Sequence, residues 1–252
     1  SLVQFIAFFG PLIGMVLGFD AINRERSART LSKLLSQPIY RDAVINGKFL
    51  AGMTTISIML LAIVILIAGM GLNLLGVVPG WEEVGRLLVY LVVSIVYIGF
   101  WLAASIFFSV LLRGVATSAL AALALWIFAA FFVPLGARLA ADIVAPIPIG
   151  ASQDAEAILS NEHVRASVAR VSPITLYSEA TSIVLDPLRK TTRSLVLLGP
   201  MEQLSLSRFQ SPLPLLQSAL IAAPHLVLLL ATTLICFALC YATFMRQEIR
   251  ST

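Results

Sequence analysis

The side chains that could do chemistry in this sequence are few, and most of them stand inside long apolar runs. His225 follows Pro224 in the last run, and an ionisable residue inside a membrane span is a functional candidate by default. A neutral His225 bonded to a carbonyl group that Pro224 has freed is the simpler interpretation. Cys236 and Cys240 lie one helical turn apart and could bind a soft metal such as copper(I). Two ligands make a weak site, so we interpret them as packing residues and predict no metal.

A stripe of polar and aromatic side chains runs along the apolar segment 87–112. At 100° per residue, the stripe covers roughly a quarter of the helix circumference. Its members are Tyr90, Ser94, Tyr97, Trp101 and Ser105. A polar stripe in lipid should face protein or a water-filled cavity. Together with His225, these residues are our candidates for a substrate path, and tight helix packing is the alternative explanation.

Three glycines in the first apolar run have the spacing of a close helix contact. Gly10, Gly14 and Gly18 form the pattern GxxxGxxxG, and small residues at this spacing let two helix backbones approach each other. The partner helix could belong to a second copy of the chain or to the same copy. Helix packing is expected in either case, and packing within one copy is the simpler arrangement.

Membrane-spanning helices are needed to position these residues, and the composition predicts them. Hydrophobic residues make up 59% of the chain and charged residues 12%, whereas a soluble domain carries about 25% charged residues. Crossing the roughly 30 Å hydrocarbon core takes about 20 helical residues. Because lipid cannot satisfy backbone polar groups, apolar runs of this length must be helices. The predicted fold class is an all-α polytopic membrane bundle with spans at 2–19, 49–72, 87–112, 115–135 and 213–245.

The distribution of charge predicts the orientation of the bundle. Residues 20–48 hold six basic and three acidic side chains, and short segments rich in Lys and Arg stay in the cytoplasm. The short loop 73–86 and the long segment 136–212 then lie outside. The chain starts at Ser1 inside an apolar run, so we expect upstream residues that add a sixth span. We interpret 1–252 as one transmembrane domain in a cell membrane, without a nucleic-acid partner, because its basic residues lie beside spans.

The segment 20–48, which we call the connector, carries the most specific pattern. Leu31, Leu34 and Leu35 form an apolar ridge with helical spacing. Pro38 should end this helix, since the residue before a proline avoids the helical region, and a second helix should then run into the next span. The ridge has basic flanks, and a connector that merely lies on anionic lipid headgroups would also explain them.

The connector also resembles a known pattern, that of the permeases of the ABC-type 2 (exporter-like) transporter family. The pattern "E…TL..LLS.PI.R…..GK" is matched by Glu25, Thr30-Leu31, Leu34-Leu35-Ser36, Pro38-Ile39, Arg41 and Gly47-Lys48. Two positions depart from it. Arg29 stands where the family often has Gly, and Ser27 stands where a second acid is common. The order of the spans and the large segment before the last span are similar too.

This resemblance implies a function for the connector and partners for the chain. In the family, the connector contributes a coupling helix that docks on a separate ATPase subunit, which binds ATP and Mg²⁺. A second permease copy or homologue completes the transporter, and this chain itself would bind no cofactor. Lipid, drug, polysaccharide, peptide and a sulfur or copper species all stay open as substrates. The implied coupling residues are Arg24, Glu25, Arg26, Arg29, Thr30, Leu31, Leu34, Leu35, Pro38 and Arg41.

The segment 136–212 should contain helices outside the membrane. Ser172 is suited to cap a helix that begins at Pro173, and Asp186-Pro187 should end that helix. The stretch resembles the external element "SP…LYSEA…L.P" of such permeases, among them the permease of the nitrous-oxide-reductase maturation system. A second short helix is predicted at 153–171. These helices could cap the exit of a transport path, or they could serve the fold alone.

Other function classes lack their motifs in this sequence. An intramembrane protease is disfavoured, because there is neither an H-E-x-x-H motif nor a G-x-S-x-G elbow. Arg86 also stands one residue too close to Glu82 and Glu83 for the paired-glutamate motif of CaaX-type proteases. A secondary transporter or channel, the main alternative, would want paired charges inside the spans or inverted repeats. Without a G-x-x-x-x-G-K-[ST] loop, the chain needs its ATPase on another polypeptide.

Overall fold

Helices make up every regular element in the part of the chain that the structure describes. The computed structural model describes residues 2–28, 30, 40–76, 80–146, 155–185 and 214–246. In chain order the elements are α1 (Leu2–Gly18), α2 (Asn23–Ser27), α3 (Arg41–Leu75), α4 (Trp81–Leu111), α5 (Val115–Ile127), a π-helical turn (Phe128–Phe132), α6 (Val133–Val144), α7 (Ala155–Ala169), α8 (Pro173–Leu185) and α9 (Leu215–Arg246).

Five helical stretches of the described residues are long and apolar enough to cross a membrane. They are Val3–Ser27, Asp42–Leu74, Trp81–Leu111, Val115–Val144 and Leu215–Arg246. Each contains one of the predicted apolar runs or most of it. The predicted all-α fold with five spans in this chain is therefore confirmed.

Helix α3 is much longer than the apolar run that predicted it. It has 35 residues, which corresponds to about 52 Å and exceeds the roughly 30 Å hydrocarbon core. Gly76 ends it: its φ of 65° lies in the left-handed region that glycine tolerates, and its N–H donates to the Leu72 carbonyl. The predicted loop at 73–86 is thus wrong in extent, because the last turn of α3 lies within it.

Helix α4 also begins inside that predicted loop. The Gly80 N–H donates to Oε2 of Glu83 at 2.9 Å, which is one half of a capping box. Glu82 and Glu83 lie in the first turn, where negative charge suits the helix dipole. Glu82 also pairs with Arg86 one turn on, at 3.2 Å. Hydropathy does not predict these turns, because local capping and ion pairing stabilise them rather than lipid.

The fourth span contains a π-helical turn, Phe128–Phe132, that ends two residues before Pro134. In a π turn the N–H of residue i bonds the carbonyl of residue i−5, so the partner of the Ala129 carbonyl would be residue 134. Pro134 has no N–H. The hydroxyl of Ser172 donates to the Ala129 carbonyl instead, at 3.0 Å. The helix then continues to Val144, so a helix rather than a loop enters the segment 136–212.

Two shorter helices in the segment 136–212 agree with the prediction. Helix α7 covers Ala155–Ala169 and α8 covers Pro173–Leu185. The start of α8 at Pro173 is confirmed, although the hydroxyl of Ser172 bonds the π turn. Asn161 joins α7 to the end of α6, because its Nδ2 donates to the carbonyl of Ala145 at 2.9 Å.

The contacts divide the chain into two compact units. One unit comprises residues 1–126 with 227–252, and the other comprises 127–226. In the first unit, α1 packs along α4 in the most extensive helix contact of the described elements. In the second unit, α6 and α7 pack against each other. The connector and the polar stripe belong to the first unit.

Candidate functional site

The connector is described on both sides of its predicted apolar ridge. Before the ridge, the five residues Asn23–Ser27 form α2. Beyond it, a helix restarts at Arg41 and runs unbroken into the next span, as predicted. The ridge itself lies outside the described residues, so its coupling role stays a prediction. The predicted coupling residues that lie outside the described part are Arg29, Leu31, Leu34, Leu35 and Pro38.

Asn23 holds the start of α2 against the turn between α4 and α5. This side chain is fully buried, and its Nδ2 donates to the Gly114 carbonyl at 3.1 Å and to Oγ of Ser118 at 3.3 Å. The Ser118 hydroxyl donates in turn to the Phe19 carbonyl at 2.7 Å. The end of α1, the start of α2 and the start of α5 are thereby joined. We call Asn23, Ser109, Gly114 and Ser118 the Asn23 cluster.

Ser109, near the end of α4, completes this cluster. Its Oγ accepts hydrogen bonds from the backbone N–H groups of Ile22 and Asn23, each at 3.1 Å. The first N–H groups of a helix have no partner within the helix, and Ile22 supplies no side-chain cap. A helix of five residues is not stable by itself in any case. Helix α2 therefore depends on a side chain of α4 for its cap.

Arg26 and Glu25 are predicted coupling residues whose side chains contact other parts of the chain. Nη1 of Arg26 donates to Oδ1 of Asn23 at 3.3 Å and to the Leu112 carbonyl at 3.4 Å. Glu25 forms an ion pair with Lys48, in the second turn of α3. The resemblance had implied that both residues act at the ATPase. Their described contacts attach α2 to the α4–α5 turn and to α3, and their role at the ATPase stays a prediction.

An open cavity of about 530 Å³ lies beside the Glu25–Lys48 pair. It is lined by the end of α1, by α2 and by the first turns of α3, and Asp20, Arg24 and Thr30 belong to its lining. Arg24 and Thr30 are exposed. Their side chains are open to a partner, and the hydroxyl of Thr30 also donates to the Glu25 carbonyl at 3.2 Å.

The polar stripe of α4 is buried against α1. The Tyr97 hydroxyl donates to the Ala7 carbonyl at 2.7 Å, and the Ser105 hydroxyl donates to the Met15 carbonyl at 2.9 Å. Ala7 lies four residues before Pro11, which has no N–H to donate to that carbonyl. Tyr97 supplies the missing donor. These contacts favour the packing alternative over a substrate path, and the other stripe members are also buried, namely Tyr90, Ser94 and Trp101.

The three glycines of α1 lie against the same helix. A Cβ added to Gly14 would come within 2.7 Å of the Ile98 carbonyl oxygen, and one added to Gly18 within 2.9 Å of the Leu102 carbonyl oxygen. At Gly10 the added Cβ would meet the Ile98 side chain at 3.0 Å. The GxxxGxxxG spacing thus brings α1 close to α4 of the same chain.

His225 has a different partner from the one its sequence context suggested. Its Nε2 lies 2.8 Å from Oε2 of Glu179 in α8, and Nε of Arg170 donates to the same oxygen at 3.2 Å. Neither ring nitrogen bonds a backbone carbonyl of the described residues, so the expected bond to a carbonyl freed by Pro224 is wrong. Burial opposes the charge of Glu179, but contact with His225 and the nearby Arg170 outweigh it, so the pKa of this carboxyl is lowered.

The two cysteines are reduced in the last span. Cys240 is buried and Cys236 is half-buried. Within the described ranges, no group of three or more His, Cys, Asp and Glu side chains is placed to hold a metal ion. The packing interpretation of both thiols stays a prediction.

Sequence reasoning missed the residues that fix the connector. Asn23 stands among charged residues, where a polar side chain carries no pattern. Ser109 could have been found from the sequence, since it lies four residues after Ser105 and extends the polar stripe of α4 by one turn. Lys48 belongs to the family pattern, but its partner Glu25 lies 23 residues away, beyond the reach of any helical spacing.

The fold and the connector define a polytopic α-helical membrane protein whose helices are joined at one end by a short polar element. The family model described as ABC-2 family transporter protein matches residues 2–249. The chain therefore belongs to the ABC-2 transporter family, and it is a multi-pass permease component of an ABC transporter. This confirms the resemblance carried by the connector. No curated protein matches the chain, and the likeness to the nitrous-oxide-reductase maturation permease stays a prediction.

Proposed function

We propose that this permease is driven by separate ATP-binding-cassette ATPase subunits that dock on the connector from the cytoplasm. ATP and Mg²⁺ would bind to those subunits and not to this chain. A second permease copy or homologue and two ATPases would form the complete transporter in a cell membrane. Closure of the ATPases would push the connector and switch the spans between inward and outward access.

One observation carries this proposal. Helix α2 is bonded on both sides: Asn23 to the turn after α4, and Glu25 to Lys48 of α3. A push on α2 would therefore act on several spans at once. A loose linker would need no such bonds, since water satisfies its polar groups.

The docking surface itself is proposed from the sequence and from two exposed residues. The ridge of Leu31, Leu34 and Leu35 would enter a groove of the ATPase, and Arg24 and Thr30 would lie at its edge. Three leucines on one face serve no purpose in a solvated connector. Burial of one leucine side chain contributes roughly 1.5–3 kcal/mol, whereas an exposed ion pair contributes about 0–1 kcal/mol.

The test compares two substitutions in the connector, Leu34→Asp and Arg24→Ala. If the ridge docks in a protein groove, Leu34→Asp should abolish co-purification of the ATPase and permease-dependent ATP turnover. Arg24→Ala should leave both within about fivefold of wild type, because its ion pair would be worth about 0–1 kcal/mol. Membrane insertion is confirmed for both variants, and the permease purified alone should not hydrolyse ATP.

The competing explanation reverses this ranking. If the connector only lies on anionic headgroups, each basic residue contributes about 1 kcal/mol to that contact, and the ATPase is indifferent to Leu34. A Leu34→Asp variant that inserts normally and keeps a fully coupled ATPase would refute docking through the ridge. Membership of the ABC-2 family would stand in that case.

A further inference from the structure

We propose that the Asn23 cluster fixes α2 and the α4–α5 turn into one rigid body, so that motion of the connector passes directly to α4 and α5. Asn23 is a positioning residue in this scheme. The inference rests on the proposed function for the source of the motion. The rigidity itself is a property of this chain and can be measured without any ATPase.

Both the nitrogen and the oxygen of the Asn23 side-chain amide form hydrogen bonds. An asparagine amide offers two N–H donors and one carbonyl oxygen. Nδ2 donates to the Gly114 carbonyl and to Oγ of Ser118, while Oδ1 accepts from Arg26. The side chain is fully buried. Any shift of α2 along the turn would leave buried polar groups without partners, which is strongly unfavourable.

The hydrogen bonds to α2 and to the residue before it come from two different helices. Ser109 of α4 accepts both N–H groups at the start of α2, and Ser118 of α5 bonds the Phe19 carbonyl just before it. Arg26 adds a bond to the Leu112 carbonyl in the turn itself. Bonds from three sides oppose sliding, rotation and lifting of the short helix.

Helix α2 contacts α3 differently from the way it contacts α4 and α5. There the described polar contact of α2 is the Glu25–Lys48 ion pair, whose side chains are 24% and 33% exposed. The open cavity also separates part of α2 from the first turns of α3. Among the described contacts, α2 is therefore bonded more extensively to α4, α5 and the turn between them than to α3.

The direct test measures a distance within the proposed rigid body. Spin labels are placed at Ser27 of α2 and Ala116 of α5, which are both exposed, in a Cys236→Ser, Cys240→Ser background. In the full chain in lipid nanodiscs, the distance distribution should be narrow. Asn23→Ala should broaden it by about twofold or more, and the control Asn46→Ala, a half-buried asparagine of α3, should leave it unchanged.

A second label pair separates positioning from general stability. Labels at Leu61 of α3 and Leu88 of α4, both exposed, report on the packing of those two spans. Asn23→Ala should leave this distribution unchanged. Equal broadening of both pairs would mean a loosened fold and would overturn the proposal. If Asn23→Ala does not accumulate in the membrane, Ser109→Ala replaces it, because it removes the shared acceptor of two backbone N–H groups.

The final measurement uses the permease in complex with the ATPase. The Ser27–Ala116 distance should be the same in the nucleotide-free complex and in the complex trapped with ATP and orthovanadate. A shift of this distance between the two states would overturn the rigid body even though the ATPase docks. If no ATPase associates at all, the proposed function fails, while the nanodisc measurement still decides whether the Asn23 cluster is rigid.

Discussion

The spans α4 and α3 contact each other, yet 56% of the apolar window of α4 is buried inside the structure and only 11% of that of α3. The more buried span is not the more apolar one, since α3 has the higher mean hydropathy of the two. In lipid, a helix face gains nothing from the hydrophobic effect by packing on another helix. Hydropathy therefore identifies the spans and does not rank them by burial.

The hydroxyl groups of the two spans show what does distinguish them. In α3 the side chains of Thr54, Thr55 and Ser57 donate to carbonyls four residues earlier in their own helix, at 2.8–2.9 Å. In α4, Tyr97 and Ser105 donate to carbonyls of α1. Side-chain hydroxyl groups thus serve local bonding in one span and helix association in the other.

The largest expected loss of stability is for a substitution at Gly14, where the backbones of α1 and α4 lie close together. In Gly14→Ala the new Cβ would lie 2.7 Å from the Ile98 carbonyl oxygen, and because that atom is backbone, α1 and α4 must separate. We expect a loss of about 3 kcal/mol in the free energy of unfolding, at the upper end for overpacking. The measurement is reversible unfolding in mixed micelles.

The matched control is Gly69→Ala in α3, where nothing lies within 4 Å of the added Cβ. Alanine is the better helix former by about 1 kcal/mol, so this change should be neutral or stabilising. Similar losses at both glycines would contradict the contrast between the two spans.

The second prediction concerns the proline in α1. Tyr97→Phe removes the donor to the Ala7 carbonyl and should cost about 1–3 kcal/mol, the price of a buried acceptor left unpaired. Pro11→Ala restores a backbone N–H four residues after Ala7. The double variant should therefore be more stable than Tyr97→Phe alone, as measured in a double-mutant cycle. Additive losses would show that the hydroxyl does not replace the missing N–H.

The smallest effects are expected for single hydroxyls that are not tied to a proline. Ser105→Ala removes a bond to the Met15 carbonyl, which also accepts from the Phe19 N–H. A loss of about 0.6 kcal/mol is typical for such bonds between membrane helices. Thr54→Val in α3 should change the free energy of unfolding by less than about 0.5 kcal/mol, because its bond lies within one exposed turn. A larger loss for Thr54→Val than for Ser105→Ala would reverse the comparison.

Several features of this protein follow from the sequence alone. The five spans, the all-α class and the helix restart at Arg41 are local properties of the chain, because lipid forces each apolar run to satisfy its own backbone. The charges of the connector predict its side of the membrane for an equally local reason, since each charge resists burial in hydrocarbon. The start of α8 at Pro173 follows from the fixed φ of proline.

The partners of the polar side chains were decided by tertiary structure. Asn23 and Ser118 are 95 residues apart, and Tyr97 and Ala7 are 90 residues apart, so no spacing rule connects them. His225 pairs with Glu179 and not with its own helix. Helical periodicity defines the faces of each span, but lipid and a neighbouring helix offer an apolar face nearly the same environment. Only the packed arrangement of the spans determines which face meets protein and which hydroxyl meets an unpaired carbonyl.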